Sequence, residues 1–182
     1  MYRLGSLVAT PVLDRLDLVA PATAALLRSW PPAAEVGVAE IDPDLADTAT
    51  LVEAAQIPVE ATGNCVLVAG RRAADERVAA CVVPATTRAD VNRTVKRLLE
   101  VRKASFLPMD RAVELSGMEY GGITPVGLPL EWRLLVHAPL LRLGLLVIGS
   151  GVRRSKLVLP GRLLGELPQA EVIEGLGQQT RP

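Results

Sequence analysis

Residues 116–128 read "SGMEYGGITPVGL" and place four glycines and a proline among thirteen positions. Glycine in a folded segment has an entropic cost, so such a cluster marks either a tight turn or a place where a ligand approaches the main chain. The sequence on both sides is rich in Leu, Val and Ala and predicts ordered elements. We call residues 116–128 the glycine loop, and it is the first candidate for a functional site.

The sequence around the glycine loop mixes strand and helix patterns. Upstream, "NCVLVAG" (64–70) and "RVAACVV" (77–83) predict a hairpin with a longer polar connection, and Pro84 ends its second strand. Downstream, "WRLLVHA", "LLVIGSG" and "SKLVLP" predict three strands, "GRLLGELP" a helical turn and "AEVIEGL" a last strand. Strands and helices intermixed in this way predict a mixed sheet in an α/β or α+β domain that spans residues 1–182.

Capping signals predict where two of the helices begin. Asp42 as N-cap with Pro43 at the first helical position predicts a helix over 42–56. Thr87 with Asp90 three residues later has the pattern of a capping box and predicts another helix. We expect the first dozen residues and the tail "GQQTRP" to be loosely attached.

Composition limits the class of protein. A chain of 182 residues with 49% hydrophobic but only 3% aromatic residues can bury an aliphatic core as one domain. Its longest apolar runs are interrupted by Arg, His or Pro, so no membrane span is expected, and the N-terminal stretch has no signal-peptide pattern. The two cysteines, Cys65 and Cys81, are too few for a disulfide framework and favour a reducing, cytoplasmic setting.

The net charge is zero, but the charges are segregated along the chain. Residues 35–60 carry seven acids and no Lys or Arg, whereas residues 88–103 are mostly basic and residues 152–162 carry four basic side chains and no acid. If the two basic stretches share a face, that face could meet a polyanion. Each run taken alone is more typical of ordinary solvated surface.

Several common catalytic motifs are absent from the sequence. It contains no CxxC pair, HExxH, GxSxG or P-loop, and its one histidine, His137, excludes a multi-histidine metal site. We therefore expect neither a metal nor another cofactor. Cys65 and Cys81 fit small buried side chains on the two arms of the hairpin, and His137, in an apolar strand, favours a structural role over a catalytic one.

The glycine loop closes a helix at Gly117 and continues "YGGITPVGL" from Tyr120. This string resembles the glycine–proline signature of the YbaK/prolyl-tRNA-synthetase-associated domain family, which edits mischarged aminoacyl-tRNA, and its GxxxP element falls on Gly121 to Pro125. The hairpin, the helix and strand of 86–106, and "LLVIGSGVRRSKLVLPGRLLGEL" also resemble that family. The resemblance covers about residues 41–173 and implies a mixed, curved sheet flanked by helices.

The resemblance also implies a reaction and a set of residues. The activity would be hydrolysis of the ester between an amino acid and the terminal ribose of tRNA, in the cytoplasm, with tRNA and an aminoacyl-tRNA synthetase as partners. Such an ester needs a positioned water and donors aimed at the developing oxyanion rather than a protein nucleophile. The implied catalytic positions are Asn64, Gly121, Gly122, Thr124 and Pro125. The implied substrate-binding positions are Tyr120, Gly127, His137, Gly149, Ser150, Gly151 and Arg153.

One departure from the family concerns Asn64. The family usually has a lysine at the start of this hairpin strand, near the terminal phosphate and ribose, and asparagine brings hydrogen-bonding groups but no charge. His137 similarly stands where the family often has an acidic residue. Three functions therefore stay open: an active deacylase acting in trans, a non-catalytic relative that binds tRNA or a synthetase, and a module for a small aminoacyl compound. The identity of the edited amino acid depends on pocket dimensions that the sequence does not give.

Overall fold

Two five-stranded sheets make up most of the structure, a computed structural model that describes residues 1–179. The strands are β1 (Tyr2–Leu4), β2 (Leu7–Pro11), β3 (Gly37–Glu40), β4 (Gly63–Arg72), β5 (Asp75–Pro84), β6 (Thr87–Ala89), β7 (Ala104–Phe106), β8 (Arg133–His137), β9 (Leu146–Gly149), β10 (Ser155–Leu159), β11 (Ala170–Ile173) and β12 (Gly177–Gln179). The helices are α1 (Pro21–Ser29), α2 (Thr48–Ala55), α3 (Lys96–Leu98) and α4 (Met109–Ser116). Shorter helical turns cover Val12–Asp14, Leu16–Leu18, Pro31–Glu35, Pro43–Leu45, Val59–Ala61, Val91–Val95, Ala138–Arg142 and Gly161–Glu166.

The first sheet has the order β1-β2-β3-β10-β9 with antiparallel neighbours throughout. The second has the order β11-β8-β5-β4-β7, in which β8 pairs in parallel with both β11 and β5 while the other pairs are antiparallel. Strands β6 and β12 form a small ribbon beside them. The fold is therefore a mixed α+β domain, which confirms the fold class predicted from the sequence.

The two sheets meet where an isolated parallel bridge joins Thr62, just before β4, to Val147 in β9. Period-two alternation along each strand places aliphatic side chains on both faces of the second sheet. Leu67 and Val82 face the first sheet in the largest core cluster, whereas Val68 and Cys81 face the helical segment 91–99. The core is mostly aliphatic, as the low aromatic content predicts.

The predicted hairpin is present, but its connection is shorter than expected. Strands β4 and β5 pair as far as Arg72 and Asp75, which leaves only Ala73 and Ala74 to turn the chain. Ala73 has a positive φ of 54°. Two-residue hairpin turns favour Gly, Asn or Asp at such positions, so a pair of alanines gave no sequence signal for a tight turn.

The helix predicted over 42–56 is divided into two pieces. The Asp42 side chain accepts a hydrogen bond from the Asp44 amide and caps one short turn, and Asp47 then caps α2 by accepting from the Ala49 amide at 2.9 Å. The helical segment after β6 likewise begins at a later N-cap residue than predicted. Asp90, rather than Thr87, accepts from the amides of the first turn, because residues 87–89 are paired with β12.

The N-terminal residues are more ordered than the sequence predicts. Strands β1 and β2 form a hairpin that pairs with β3, and Leu7 and Ala9 are buried. The expectation of a loose first dozen residues is therefore wrong, since paired backbone and buried side chains hold this segment. Of the tail, residues 177–179 form β12, and the remaining positions lie outside the described residues. Within residues 1–179, no helix has the length and apolar character needed to cross a membrane.

Candidate functional site

A cavity of about 570 Å³ opens where the two sheets meet. Its volume lies within the range of small-molecule sites. The turn before α2, the start of β4, the glycine loop, β9 and β10 each contribute to its wall. The polar residues and glycines of the lining include Asp47, Thr48, Thr62, Gly63, Asn64, Tyr120, Gly121, Gly149 and Lys156. The apolar residues of the lining include Leu51, Val52, Val59, Val66, Ile123, Val147 and Ile148.

Lys156 is a buried cation in this wall. It lies in β10, whose five residues are all buried, and only 4% of its surface is exposed. Its Nζ donates to the Ala46 carbonyl at 2.6 Å and to the Gly121 carbonyl at 3.2 Å. An ammonium group has three donors, so one N–H remains after these two bonds. Lys156 therefore connects the turn before α2 to the glycine loop and can donate to a ligand in the cavity.

Burial sets the protonation behaviour of Lys156. Loss of hydration lowers its pKa from 10.5 to about 8, partly opposed by the negative charge of Asp47 and assisted by the positive charge of Arg153. The amine is therefore mostly charged at neutral pH and loses its proton just above it. Few lysines have a pKa so close to physiological pH, and such perturbed groups are concentrated at functional sites.

The lowered pKa of Lys156 predicts a pH dependence of stability. Because the folded pKa lies below the unfolded one, the unfolded state binds more protons between pH 8 and 10.5, and stability rises with pH in that window. We expect the free energy of unfolding of the wild type to increase by about 3 kcal/mol relative to Lys156→Met between pH 7 and 10.5. Urea denaturation of both proteins across this range would measure it, and parallel curves would contradict it.

Asn64 lies at the start of β4 and is fixed by a neighbour from α2. The Thr48 hydroxyl donates to the Asn64 side-chain oxygen at 2.8 Å. This bond orients the amide group and leaves its NH₂ as a donor beside the cavity. Asn64 thus brings no charge to its position, but Lys156, from the first sheet, lines the same cavity.

Some backbone amides of the glycine loop donate hydrogen bonds within the protein, and others do not. The Gly122 amide donates to the Glu119 carbonyl at 2.9 Å, and the Thr124 amide contacts the Met118 sulfur at 3.5 Å. Among the described residues, the amides of Gly121 and Ile123 have no hydrogen-bond partner, and both residues line the cavity. These two amides are therefore not committed to another group of the described residues and can donate to a ligand.

The glycine loop packs closely against β9 and the turn after it. A Cβ on Gly149 would lie closer than 3.0 Å to the carbonyl oxygens of Gly122 and Ile123, and a Cβ on Gly122 would lie 2.6 Å from the Val152 backbone. The Gly151 amide also donates to the Gly122 carbonyl at 2.7 Å. These glycines permit backbone to approach backbone, which holds the Gly121–Ile123 stretch against one cavity wall.

The predicted site residues fall into two groups. Asn64, Tyr120, Gly121 and Gly149 line the cavity. The others lie outside its lining, namely Gly122, Thr124, Pro125, Gly127, His137, Ser150, Gly151 and Arg153. Most of this second group is buried in packing contacts behind the wall.

Three of the residues behind the wall have clear structural partners. Thr124 is fully buried, and its hydroxyl accepts from the Val126 amide. Gly127 has a positive φ of 90° and packs against the backbone of Ala22 at the start of α1. Ser150 is fully buried and donates to the Ser155 carbonyl at 2.9 Å. They fix the backbone that carries the cavity wall.

Arg153 and Tyr120 lie at the mouth of the cavity. The Arg153 guanidinium donates to the Pro43 carbonyl at 2.8 Å and to the Tyr120 carbonyl at 3.3 Å, and its amide donates to the Glu119 carboxylate at 2.6 Å. The Tyr120 side chain is 57% exposed. Arg153 therefore holds the loop in place from outside the cavity, while the Tyr120 ring is free to contact a ligand.

His137 lies at the end of β8, and Gly177 near the C-terminus is its partner. Its Nδ1 accepts from the Gly177 amide at 3.3 Å, and burial lowers its pKa, so the ring is neutral at pH 7.

Cys65 lies beside the cavity. Burial raises the pKa of its thiol, which therefore remains protonated. Across residues 1–179, no three His, Cys, Asp or Glu side chains gather in a way that could hold a metal ion.

Lys156 and Thr48 are cavity residues that the sequence did not single out. Lys156 was one of four basic residues in a run typical of solvated surface. A signal was nevertheless present, because "SKLVLP" places a lysine inside an otherwise apolar strand and lysine is almost never fully buried without a partner. No local pattern predicts the bond between Thr48 and Asn64, since it joins residues of different elements.

Comparison with known proteins adds to this geometry. The model of the aminoacyl-tRNA editing domain matches residues 42–166. The structure of the hypothetical protein APE2540 is similar, with 25% identity and a TM-score of 0.64 over 73% of this chain and 85% of that one. A structure described as a proposed trans-editing enzyme for prolyl tRNA synthetase has 17% identity and a TM-score of 0.73, over 89% of this chain and 99% of that one.

A third similar structure is an epitope-presenting scaffold made by computational design, with 17% identity and a TM-score of 0.71 over 94% of this chain and 99% of that one. No curated protein matches the chain. The two structures at 17% identity share the fold of this chain, and they carry no information on its substrate. The match of the domain model to more than two thirds of the chain confirms the resemblance found in the sequence.

Proposed function

The chain belongs to the aminoacyl-tRNA editing domain family, and we propose that it hydrolyses the ester of mischarged aminoacyl-tRNA in trans. One observation supports this proposal: a buried ammonium group, an oriented asparagine amide and two backbone amides without a hydrogen-bond partner all belong to residues that line one cavity. All of these groups are donors. They suit a reaction in which negative charge develops on a carbonyl oxygen.

In the proposed reaction, water adds to the carbonyl carbon of the ester and the carbonyl oxygen becomes an oxyanion. The bond from that carbon to the ribose oxygen then breaks, and the ribose oxygen takes up the proton that the attacking water has given up, which releases the free amino acid and tRNA. The amides of Gly121 and Ile123 and the remaining N–H of Lys156 donate to the oxyanion. The protein supplies no nucleophile, because the ester is already labile and needs chiefly orientation and charge stabilisation.

The remaining cavity residues would hold the two ends of the substrate. The NH₂ of Asn64 donates to a ribose hydroxyl, and the exposed Tyr120 ring stacks on the terminal adenine at the mouth. The apolar positions, including Val66, Val147 and Ile148, contact the side chain of the amino acid. An apolar pocket of this kind discriminates a methylene group by only about 1–3 kcal/mol, so its dimensions set the preferred amino acid.

The proposed partners follow from the substrate. We place the activity in the cytoplasm, with tRNA as the main partner and an aminoacyl-tRNA synthetase, which forms the mischarged ester, as the second. The roles inferred for Gly122, Thr124, Pro125, Gly127, Ser150 and Gly151 are to support the loop and the wall. Arg153 is assigned to the mouth, and His137 to the junction with the C-terminal segment.

A deacylation panel tests the proposal. Each tRNA identity would be charged with small noncognate amino acids, and release of the amino acid would be followed with and without protein. We expect at least one pair to be hydrolysed at a rate well above that in buffer. Buffer rates for every pair would rule out the enzyme, and tRNA binding without turnover would then support the non-catalytic alternative.

The pH profile of the enzymatic rate tests the role of Lys156. If Lys156 acts as a charged donor, kcat/KM corrected for spontaneous hydrolysis should fall as pH rises through about 8, where the amine loses its proton. If the neutral amine instead acted as a general base, the rate would rise through the same pH. Stopped assays between pH 6.5 and 9.5 on one hydrolysed pair distinguish the two directions.

A further inference from the structure

A second depression, separate from the cavity, lies at the other end of β4. It has a volume of about 810 Å³ and is bounded by the end of β4, by β7, by the helical segment 92–96 and by the start of α4. We call it the basic groove. Five basic side chains and one acidic side chain line it: Arg71, Lys96, Arg102, Lys103, Arg111 and Glu76.

The charge of the basic groove is not neutralised within the protein. Glu76 pairs with Arg111 at 2.8 Å. Arg71, Arg102 and Lys103 are exposed, and within residues 1–179 they have no ion pair or side-chain hydrogen bond. In a chain with zero net charge, such a local excess produces a positive surface potential that attracts a polyanion.

The basic groove also exposes an aromatic ring. Phe106, in the edge strand β7, is 51% exposed, although most apolar side chains of this chain are buried. A basic channel with an exposed aromatic side chain is the arrangement that binds single-stranded nucleic acid, because phosphates contact the cations while an unpaired base stacks on the ring. An acidic protein partner would need the charges but not the ring.

We propose that the basic groove binds the phosphate backbone of RNA and that Phe106 stacks on an unpaired base. Asn64 at the cavity and Gly70 at the groove are six residues apart on β4, so the two sites lie about 20 Å apart along the strand. A single nucleotide does not span this distance. An RNA whose 3′-terminal nucleotide occupies the cavity can therefore reach the groove only with nucleotides that precede the terminal one. The choice of tRNA as that RNA rests on the proposed function.

Binding of deacylated tRNA by the full-length protein tests the groove without requiring hydrolysis. We would compare the wild type with a groove variant, Arg71→Ala/Arg102→Ala/Lys103→Ala, by fluorescence anisotropy at several salt concentrations. Each lost phosphate contact should lower the slope of log K against log salt by about 0.7–0.9. The expected result is a slope smaller by about 2 and an affinity at least tenfold weaker. The charge-matched control, Arg3→Ala/Arg28→Ala/Arg142→Ala, removes exposed cations outside the groove and should bind as the wild type does.

Two substitutions of Phe106 separate RNA from an acidic partner. Phe106→Ala should weaken tRNA binding roughly tenfold and leave the salt slope unchanged, and Phe106→Leu, which keeps apolar bulk without the ring, should weaken it nearly as much. Unchanged tRNA binding in the groove variant would overturn the proposal. Weakened binding in the groove variant with wild-type binding in both Phe106 variants would overturn the stacking on Phe106, and the groove would then bind polyanions by charge alone, without selecting RNA.

A hydrolysis assay separates failure of the groove from failure of the proposed function. On a hydrolysed pair, the groove variant should raise KM for aminoacyl-tRNA at least tenfold and leave turnover of the corresponding aminoacyl-adenosine unchanged. If no pair is hydrolysed, the proposed function fails, while the anisotropy measurements still decide whether the groove binds RNA. An equal loss on both substrates would show that the groove residues act on the cavity and would contradict the proposal.

Discussion

Lys156→Met is expected to lower kcat/KM for hydrolysis of a mischarged tRNA by at least 100-fold. The buried ammonium group is the only charged donor that the structure places in the cavity wall among the described residues. Removing one donor to a developing oxyanion costs about 10²–10³ in rate. Methionine has similar length and packs well in an apolar strand, so the protein should still fold. Single-turnover release of the amino acid would measure the loss.

Two further variants control for indirect effects of Lys156→Met. Arg154→Met removes a cation two residues away that donates to the Asp17 carbonyl outside the cavity, and it should keep more than half of the wild-type kcat. Lys156→Arg keeps a positive charge that does not titrate below pH 12, so whatever activity remains should no longer fall above pH 8. Full activity of Lys156→Met in a folded protein would remove Lys156 from the mechanism.

Gly149→Ala should both destabilise the protein and inactivate it. The new methyl group would lie closer than 3.0 Å to the carbonyl oxygens of Gly122 and Ile123, which are backbone atoms and cannot rotate away. Overpacking of this kind typically costs 1–3 kcal/mol, so we expect a loss of about 3 kcal/mol and a Tm lower by about 9 °C. Displacement of the loop should reduce kcat/KM by about 100-fold. Thermal denaturation and the deacylation assay would measure the two effects.

Gly144→Ala provides the matched control for this substitution. Gly144 precedes the same strand, and a Cβ at this position would meet no atom within 4 Å. The control should therefore change stability by less than about 0.5 kcal/mol and leave kcat unchanged. A Gly149→Ala protein as stable and active as the control would mean that the loop and β9 can separate without cost.

Local signals predicted most of the fold. The Pro84 strand end, the Gly117 helix end and the apolar alternation of β4 and β5 all act within a few residues and are found where the sequence predicts them. The failures depend on partners distant in sequence. Pairing with β12 converts Thr87–Ala89 from a helix start into a strand, and pairing with β3 orders the N-terminal hairpin.

The sequence predicted part of the candidate site, namely the glycine loop and Asn64. The sequence indicated the loop from the density of glycine, and the structure places Gly121 beside a cavity. It could not show which amides are engaged, because the partners of Gly122 and Thr124 depend on the path of the loop. Nor could it show that Lys156 is buried, since the walls around its ammonium group come from segments 35 and 110 residues away.

The place where the two sheets meet lets the size of the cavity change independently of its polar groups. The bridge from Thr62 to Val147 brings together two halves that are otherwise paired separately. Asn64 belongs to one half and Lys156 to the other, while Val147 and Ile148 line the space between them. Substitutions at Val147 and Ile148 can therefore resize the apolar part of the cavity while Asn64 and Lys156 stay on their own strands. Under the proposed function, the preferred amino acid can then change without displacing these two donors.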